Sequence, residues 1–475
     1  MRKFLALIVA PLVILAGCGG SGTSTNSSPP PPPPPPPTQV IATPGPPNVE
    51  KMVIDAGPGA LTSAAVNTAF VTVTVCIHGT SSCQNIDHVE VDTGSIGLRI
   101  LHDATTVDAA GNPAGPFTLA LPAVADPVHP ANVLAECLQF ADGFSWGSVN
   151  TADIKLPVSG KTATNVVVQV IGAASAGVPS KASPTCLPPP PINANSCSGI
   201  EDTVPCFGAN GILGVGPFVN DCNSTGDCDP APTKTVGGVT YPGNSATYFS
   251  CTTAATPVCA QVGAGDVTTA QQVPNPATLF ASDNNGVIVE LPAVGADGAP
   301  APQNGSLVFG IGTETNNALG GATKLPMCYG SGSQCMLNGT PLFGTVSATL
   351  NGTTYQQSYL DSGSNANFFP TTSIPSCNAP NAGFLCPGST TSESATLTGT
   401  DGTTAAADFS VANADSLFMQ NNSMNFAFSN LAGSNYSSTG LPNDTLDLGL
   451  SFFYGHNVFT GFEDLASGAP PFFAY

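Results

Sequence analysis

Asp92-Thr93-Gly94-Ser95 and Asp361-Ser362-Gly363-Ser364 are two strings of the same kind, each closing a run of alternating apolar residues. No other Asp-(Ser/Thr)-Gly triplet occurs in the chain. Asp, Ser, Thr and Gly are ordinary turn residues, so one such triplet alone reads as a β-turn. Two in matched settings read as a duplicated half-site, because paired carboxylates can divide acid and base roles around one water.

The flanks support the duplication. Residues 70–77 alternate with period 2, turn, and resume over 86–91 into Asp92. The second copy runs through 342–350, a hairpin signal at Asn351-Gly352, and 354–360 into Asp361. An apolar pair follows each triplet, Ile96 and Leu98 in the first copy, Phe368 and Phe369 in the second. Only 8% of residues are charged, while 52 Gly, 46 Pro and abundant Thr, Val, Ser and Asn favour short strands and turns. An all-β class follows, and 475 residues suffice for two lobes of domain size.

Nine Lys plus Arg against 30 Asp plus Glu give a net charge of -21. Basic patches that would neutralise phosphates are missing, which excludes nucleic acid as a partner. The acidity reads as solubility in an exported protein. Arg2 and Lys3 precede an apolar run over residues 4–15, too short to span a bilayer and proportioned like a signal peptide. The run ends in Leu15-Ala16-Gly17-Cys18, which resembles the lipobox of bacterial lipoproteins. That resemblance implies removal of residues 1–17, lipidation of Cys18 and, with Gly19 in place of Asp, an outer-membrane destination. Residues 18–50 read as a tether, in which Pro29 to Pro37 form a polyproline II spacer of about 3 Å per residue.

Setting Cys18 aside, an even number of the 15 cysteines remains, in a compartment where disulfides persist. Cys222/Cys228, Cys251/Cys259, Cys328/Cys335 and Cys377/Cys386 have the spacing of loop clips, with connectivity left open. Cys76, His78, Cys83 and His88 form the best metal-ligand cluster, yet no paired Cys-x-x-Cys spacing supports it, and neither metal nor cofactor is expected.

Together these residues resemble the pepsin-like aspartic endopeptidases, bilobal β proteins in which each lobe contributes one Asp-(Thr/Ser)-Gly loop. Gly211-Ile212-Leu213-Gly214 matches the family's hydrophobic-hydrophobic-Gly support of the first loop, and Asp447-Leu448-Gly449 offers the second, with Asp447 departing from the pattern. Gly305 to Gly310 resembles the segment joining the lobes. The resemblance implies that Thr93 and Ser362 bond across the lobe interface while Ser95 and Ser364 bond the catalytic carboxylates. Phe140-Ala141-Asp142-Gly143, running on to Trp146, stands where the family has its flap tyrosine, and Arg99 stands where it has the partner Trp. Phe140 and Arg99 are therefore expected to make a cation–π contact, with Phe140, Asp142, Gly143, Trp146 and Arg99 as flap and substrate-binding residues. From about residue 48 onward the chain also resembles a family of exported bacterial lipoproteins without an assigned function.

The chemistry expected of Asp92 and Asp361 stands on its own. Two carboxyls within hydrogen-bond reach cannot both ionise cheaply, so they share a proton and titrate as a pair. One then takes a proton from water while the other protonates a peptide carbonyl. Gly94 and Gly363 would let backbone approach closely, and the hydroxyls of Thr93, Ser95, Ser362 and Ser364 would brace the loops. Two other readings compete. Gly143-Phe144-Ser145-Trp146-Gly147 fits a nucleophile elbow, with His456 downstream, but the following stretch reads as a strand where an elbow needs a helix. A non-cleaving surface lipoprotein that binds peptide, glycan or an envelope partner would use the same lobes. The expected organisation is a signal peptide (1–17), a tether (18–50), an N-terminal lobe with a Cys-rich insertion (51–285), inter-lobe strands (286–315) and a C-terminal lobe (316–475). A monomer acting on extended polypeptide is expected, with no propeptide.

Overall fold

The computed structural model describes residues 39–475 apart from 141–142, 173–177, 180–181, 183–185, 187–196, 198, 223–233, 237–238, 242–246, 255, 263–265, 301–302, 330–334, 338–339 and 435–444. The expected signal peptide, Cys18, the prolines of the tether and Asp142 lie outside the described residues.

Each acidic loop sits in the same strand arrangement. The strand Cys83–Asp92 pairs antiparallel with Ala69–Cys76 and parallel with Gly211–Val215, placing Gly214 beside Asp92. Gly211–Val215 also pairs antiparallel with Ile96–Leu101, the strand that leaves the loop. In the second copy Thr353–Leu360 pairs antiparallel with Val346–Leu350 and parallel with Asp447–Leu448, placing Leu360 beside Leu448. Asp447–Leu448 then meets the outgoing strand Asn367–Phe369 antiparallel, Phe368 opposite Asp447. A distant strand thus wedges between the arms of each loop and holds the acid at its turn. Asn351 and Gly352 both have positive φ, 52° and 79°, so the expected hairpin turn forms with the left-handed conformations that Asn and Gly tolerate.

Among the described residues the first copy belongs to a seventeen-stranded sheet and the second to a seven-stranded one. The fold is nearly all β, with barrel-like sheets, as composition implied. Gly286–Glu290 and Gln303–Phe309 pair with each other, and the set extends through Val49–Ile54 on one side and Asn457–Gly461 and Phe472–Ala474 on the other. The C-terminal strands therefore return to the expected inter-lobe segment. A continuous buried cluster runs through Val91, Leu213, Leu307, Leu360, Leu448 and Phe453, tying the supports of both loops into one core. Residues 39–475 form one compact unit.

Residues 39–50, assigned from sequence to the tether, belong to the fold. Gln39 Nε2 donates to the carbonyls of Leu291 and His456, Ser306 Oγ donates to Ala42 O, and Val49–Ile54 is a sheet strand. Disulfides join Cys76–Cys83, Cys137–Cys186, Cys197–Cys206, Cys251–Cys259 and Cys377–Cys386. Two of the expected clips, Cys251–Cys259 and Cys377–Cys386, are among them; Cys222 is also bridged, while Cys228, its expected partner, lies outside the described residues. Cys328 and Cys335 are instead neighbouring buried thiols, with burial and the adjacent sulfur pushing Cys328 up to about 12. The Cys76–Cys83 bridge removes two ligands from the metal cluster considered above, while His78 bonds Asp153 and His88 bonds Asp55 and Asp87. Among the described residues no helix is long and apolar enough to cross a membrane.

Candidate functional site

Four reciprocal hydrogen bonds lock the two loops together. Thr93 N donates to Ser362 Oγ at 3.1 Å and Ser362 N donates to Thr93 Oγ1 at 3.0 Å. Thr93 Oγ1 donates onward to Leu360 O at 3.2 Å, and Ser362 Oγ to Val91 O at 2.7 Å. Each hydroxyl accepts from the opposite loop and donates to the strand that leads into that opposite loop, so four buried backbone groups find partners through two side chains.

That lock sets the carboxyls face to face. Gly94 N donates to Asp92 Oδ1 at 2.7 Å and Gly363 N to Asp361 Oδ1 at 2.8 Å. Each carboxyl also lies over the glycine of the other loop: a Cβ on Gly94 would stand 2.6 Å from Asp361 Cγ, and one on Gly363 2.6 Å from Asp92 Oδ1. Any side chain at either position would displace the opposing acid. Asp361 is hydrogen-bonded to Asp92, and its carboxyl is held well above the ordinary carboxylate range, first by burial, then by the charges of Asp92 and Asp447. An Asp361 carboxyl biased toward its neutral form beside Asp92 would allow the division of labour that a water-activating pair requires.

The two acids open into a cleft of about 930 Å3. Phe140, Phe207, Phe368, Phe384, Phe418 and Phe426 line it, with Glu90 and Glu201 as further acids. Phe140 N donates to Gly143 O, closing the turn between the antiparallel strands Asn132–Gln139 and Phe144–Lys155. A hairpin therefore stands at the place where the flap was expected, and Phe140 lines the cleft.

Several expected roles change. Among the described residues Arg99 forms no cation–π pair with Phe140; Phe140 stacks edge-on against Phe207, and Arg99 is fully buried. Its Nη2 lies 2.5 Å from Glu136 Oε1 and its Nε donates to Glu136 Oε2 at 3.2 Å, with Ile96 O accepting from Nη1. A buried guanidinium needs an anion more than a ring face, and Glu136 supplies it from the flap's own strand. Trp146 is core: it is 1% exposed, packs against Phe249, and donates to Pro179 O. Ser95 Oγ is buried without a hydrogen-bond partner, so only the second loop's serine braces its acid, Ser364 Oγ lying 3.2 Å from Asp361 Oδ2. Ser145 sits on a strand bonded to Gln169, and His456 bonds Phe452 O, so no nucleophile elbow forms. The sequence reading missed Glu90, two residues before Asp92 and on the same strand face, and Tyr359, whose phenol is pushed well above its usual range by burial and by the charges of Asp447, Asp361 and Asp92.

Fold and site define a nearly all-β protein that brings two Asp-(Ser/Thr)-Gly loops together in one cleft. The chain belongs to the family described as "Protein of unknown function (DUF3443)", which matches residues 44–475. No curated protein matches it.

Proposed function

We propose that the protein is an aspartic-type endopeptidase, two-lobed in the manner of the pepsin-like enzymes, exported and held at the outer membrane through a lipid on Cys18. The observation that carries this reading is the crossed packing of each acid on the other loop's glycine, locked by the Thr93–Ser362 exchange. In the reaction, Asp92 takes a proton from a water held between the acids as the water oxygen bonds to the scissile carbonyl carbon. Asp361 gives its proton to the carbonyl oxygen. The resulting diol collapses when its nitrogen gains a proton from Asp92, the C–N bond breaks and one diol hydroxyl returns its proton to Asp361, which restores the starting pair, and no metal is needed. The phenylalanines of the cleft favour apolar side chains near the scissile bond.

The test is cleavage of a peptide library by the full-length protein across pH. Cleavage should be blocked by pepstatin and fall at least 100-fold in Asp92→Asn and in Asp361→Asn, a loss typical of removing an acid or base. Folded variants that still cleave would overturn the reading. A folded wild type that binds peptides without cutting them would favour a non-cleaving surface lipoprotein.

A further inference from the structure

Ser364 poses a counting problem. Its Oγ lies 3.2 Å from Asp361 Oδ2 and 2.6 Å from Asp447 Oδ2, both within hydrogen-bond range. A serine hydroxyl has one hydrogen, so it can donate to only one of these oxygens, and a second bond requires a carboxyl that carries a proton of its own. Asp361 spends its own proton on the hydrogen bond to Asp92, which leaves that role to Asp447. It is 1% exposed, and its Oδ1 is buried without a hydrogen-bond partner, an arrangement costly for an anion and tolerable for a neutral acid. Asp361 Oδ1, by contrast, already accepts from Gly363 N.

We propose that Asp447, Ser364 and Asp361 form a relay in which Asp447 donates to Ser364 Oγ and Ser364 donates to Asp361 Oδ2. Asp447 is thereby a positioning residue, a third acid beneath the pair that fixes the direction of the serine hydroxyl. Sequence pattern places it where the support strand of the second loop would carry an apolar side chain, opposite Tyr359 and Phe368 in the ladder. The titratable groups that face it are Asp92, Asp361 and Tyr359, none of them basic. Burial, reinforced by the charge of Asp92, holds Asp447 well above the ordinary carboxylate range despite the bond to Ser364. With Asp447 neutral, Asp361 keeps a donor that favours its ionised form. If Asp447 lost its proton, the hydroxyl would turn to it and Asp361 would lose that donor.

The relay rests on the proposed pairing of Asp92 with Asp361, and its test does not need cleavage. Infrared spectra of the full-length protein, recorded against pH, resolve the carbonyl band of neutral carboxyl groups. At a pH where ordinary carboxyls are ionised, the wild type should show a neutral-acid band that disappears in Asp447→Asn and persists in Asp361→Asn. The band lost in Asp361→Asn should titrate in Asp447→Asn as in wild type, because the amide still donates to Ser364. It should shift to higher pH by roughly one unit in Ser364→Ala, and by less in Asp447→Leu. Failure of Asp447→Asn to remove a band, or identical titration in the Asn and Leu variants, overturns the relay. Should the Leu variant not fold, an unshifted titration in Ser364→Ala overturns it equally. A protein that cleaves no peptide yet shows these bands would sink the endopeptidase reading alone.

Discussion

At the scale of single residues, the site depends on hydroxyls with one hydrogen and two jobs. Thr93 Oγ1 accepts from Ser362 N and donates to Leu360 O, and Thr93 is 1% exposed. Thr93→Val keeps the shape and removes both bonds, leaving two buried backbone groups without partners at about 1–3 kcal/mol each. Thr93→Ser keeps both. Urea unfolding should therefore show a loss of roughly 2–5 kcal/mol for Val and under 1 kcal/mol for Ser. Much of this site was legible in the chain, because the triplets carry their own chemistry: carboxyl, hydroxyl and glycine in consecutive positions. What could not be read is whatever depends on a neighbour distant in sequence. Ser95 and Ser364 occupy equivalent places, yet Ser364 finds two carboxyls and Ser95 Oγ none. The difference comes from Asp447, 83 residues beyond Ser364, which sequence marked only as a departure from pattern.

At the scale of elements, the strands around each acid were legible from period-2 alternation, and the Asn351-Gly352 turn from its chemistry. The role of Arg99 was not. Its partner Glu136 lies 37 residues away on Asn132–Gln139, a separation that alternation does not bridge. The pair ties the flap hairpin to Ile96–Leu101, the strand leaving the first acidic loop. Asp221 lies 3.6 Å from the guanidinium; burial and the charge of Glu136 raise it well above the usual range, and it accepts from Tyr248. Breaking a buried pair leaves a charge stranded, whereas removing both partners does not. Arg99→Met should thus cost about 3–5 kcal/mol and loosen amide protection across the flap hairpin. Arg99→Met with Glu136→Met should cost far less than the sum of the single changes. Additive losses in a double-mutant cycle, by urea unfolding with hydrogen exchange, would show that the two side chains act independently.

At the scale of the whole molecule, the buried acids make stability a function of pH with a definite sign. Burial raises Glu50, Asp361 and Asp447, and it holds Glu290 at about 7 against an ordinary 4.5. A carboxyl raised on folding favours the native state below its unfolded value, and that contribution disappears as pH climbs through the folded value, for Glu290 between 4.5 and about 7. His88 adds to the same trend at higher pH. Burial opposes its charge, but Asp55 and Asp87 prevail and raise it from 6.5 to about 9, so its contribution is complete below 6.5 and lost by about 9. Asp55, Asp126 and Asp283 work in the opposite sense: hydrogen bonds outweigh burial and lower them, so their contribution is lost as pH falls below 3.8. The net charge of -21 adds self-repulsion once the carboxylates ionise. The two limits leave a maximum between about pH 4 and 6. Calorimetry should find Tm highest in that window and falling steadily to pH 9. Added salt should raise Tm more at pH 8 than at pH 5, since it screens the repulsion that only the higher pH develops. A Tm that rises from pH 5 to pH 8 would mean that the buried acids ionise without cost, and the neutral state of Asp361 would lose its physical basis.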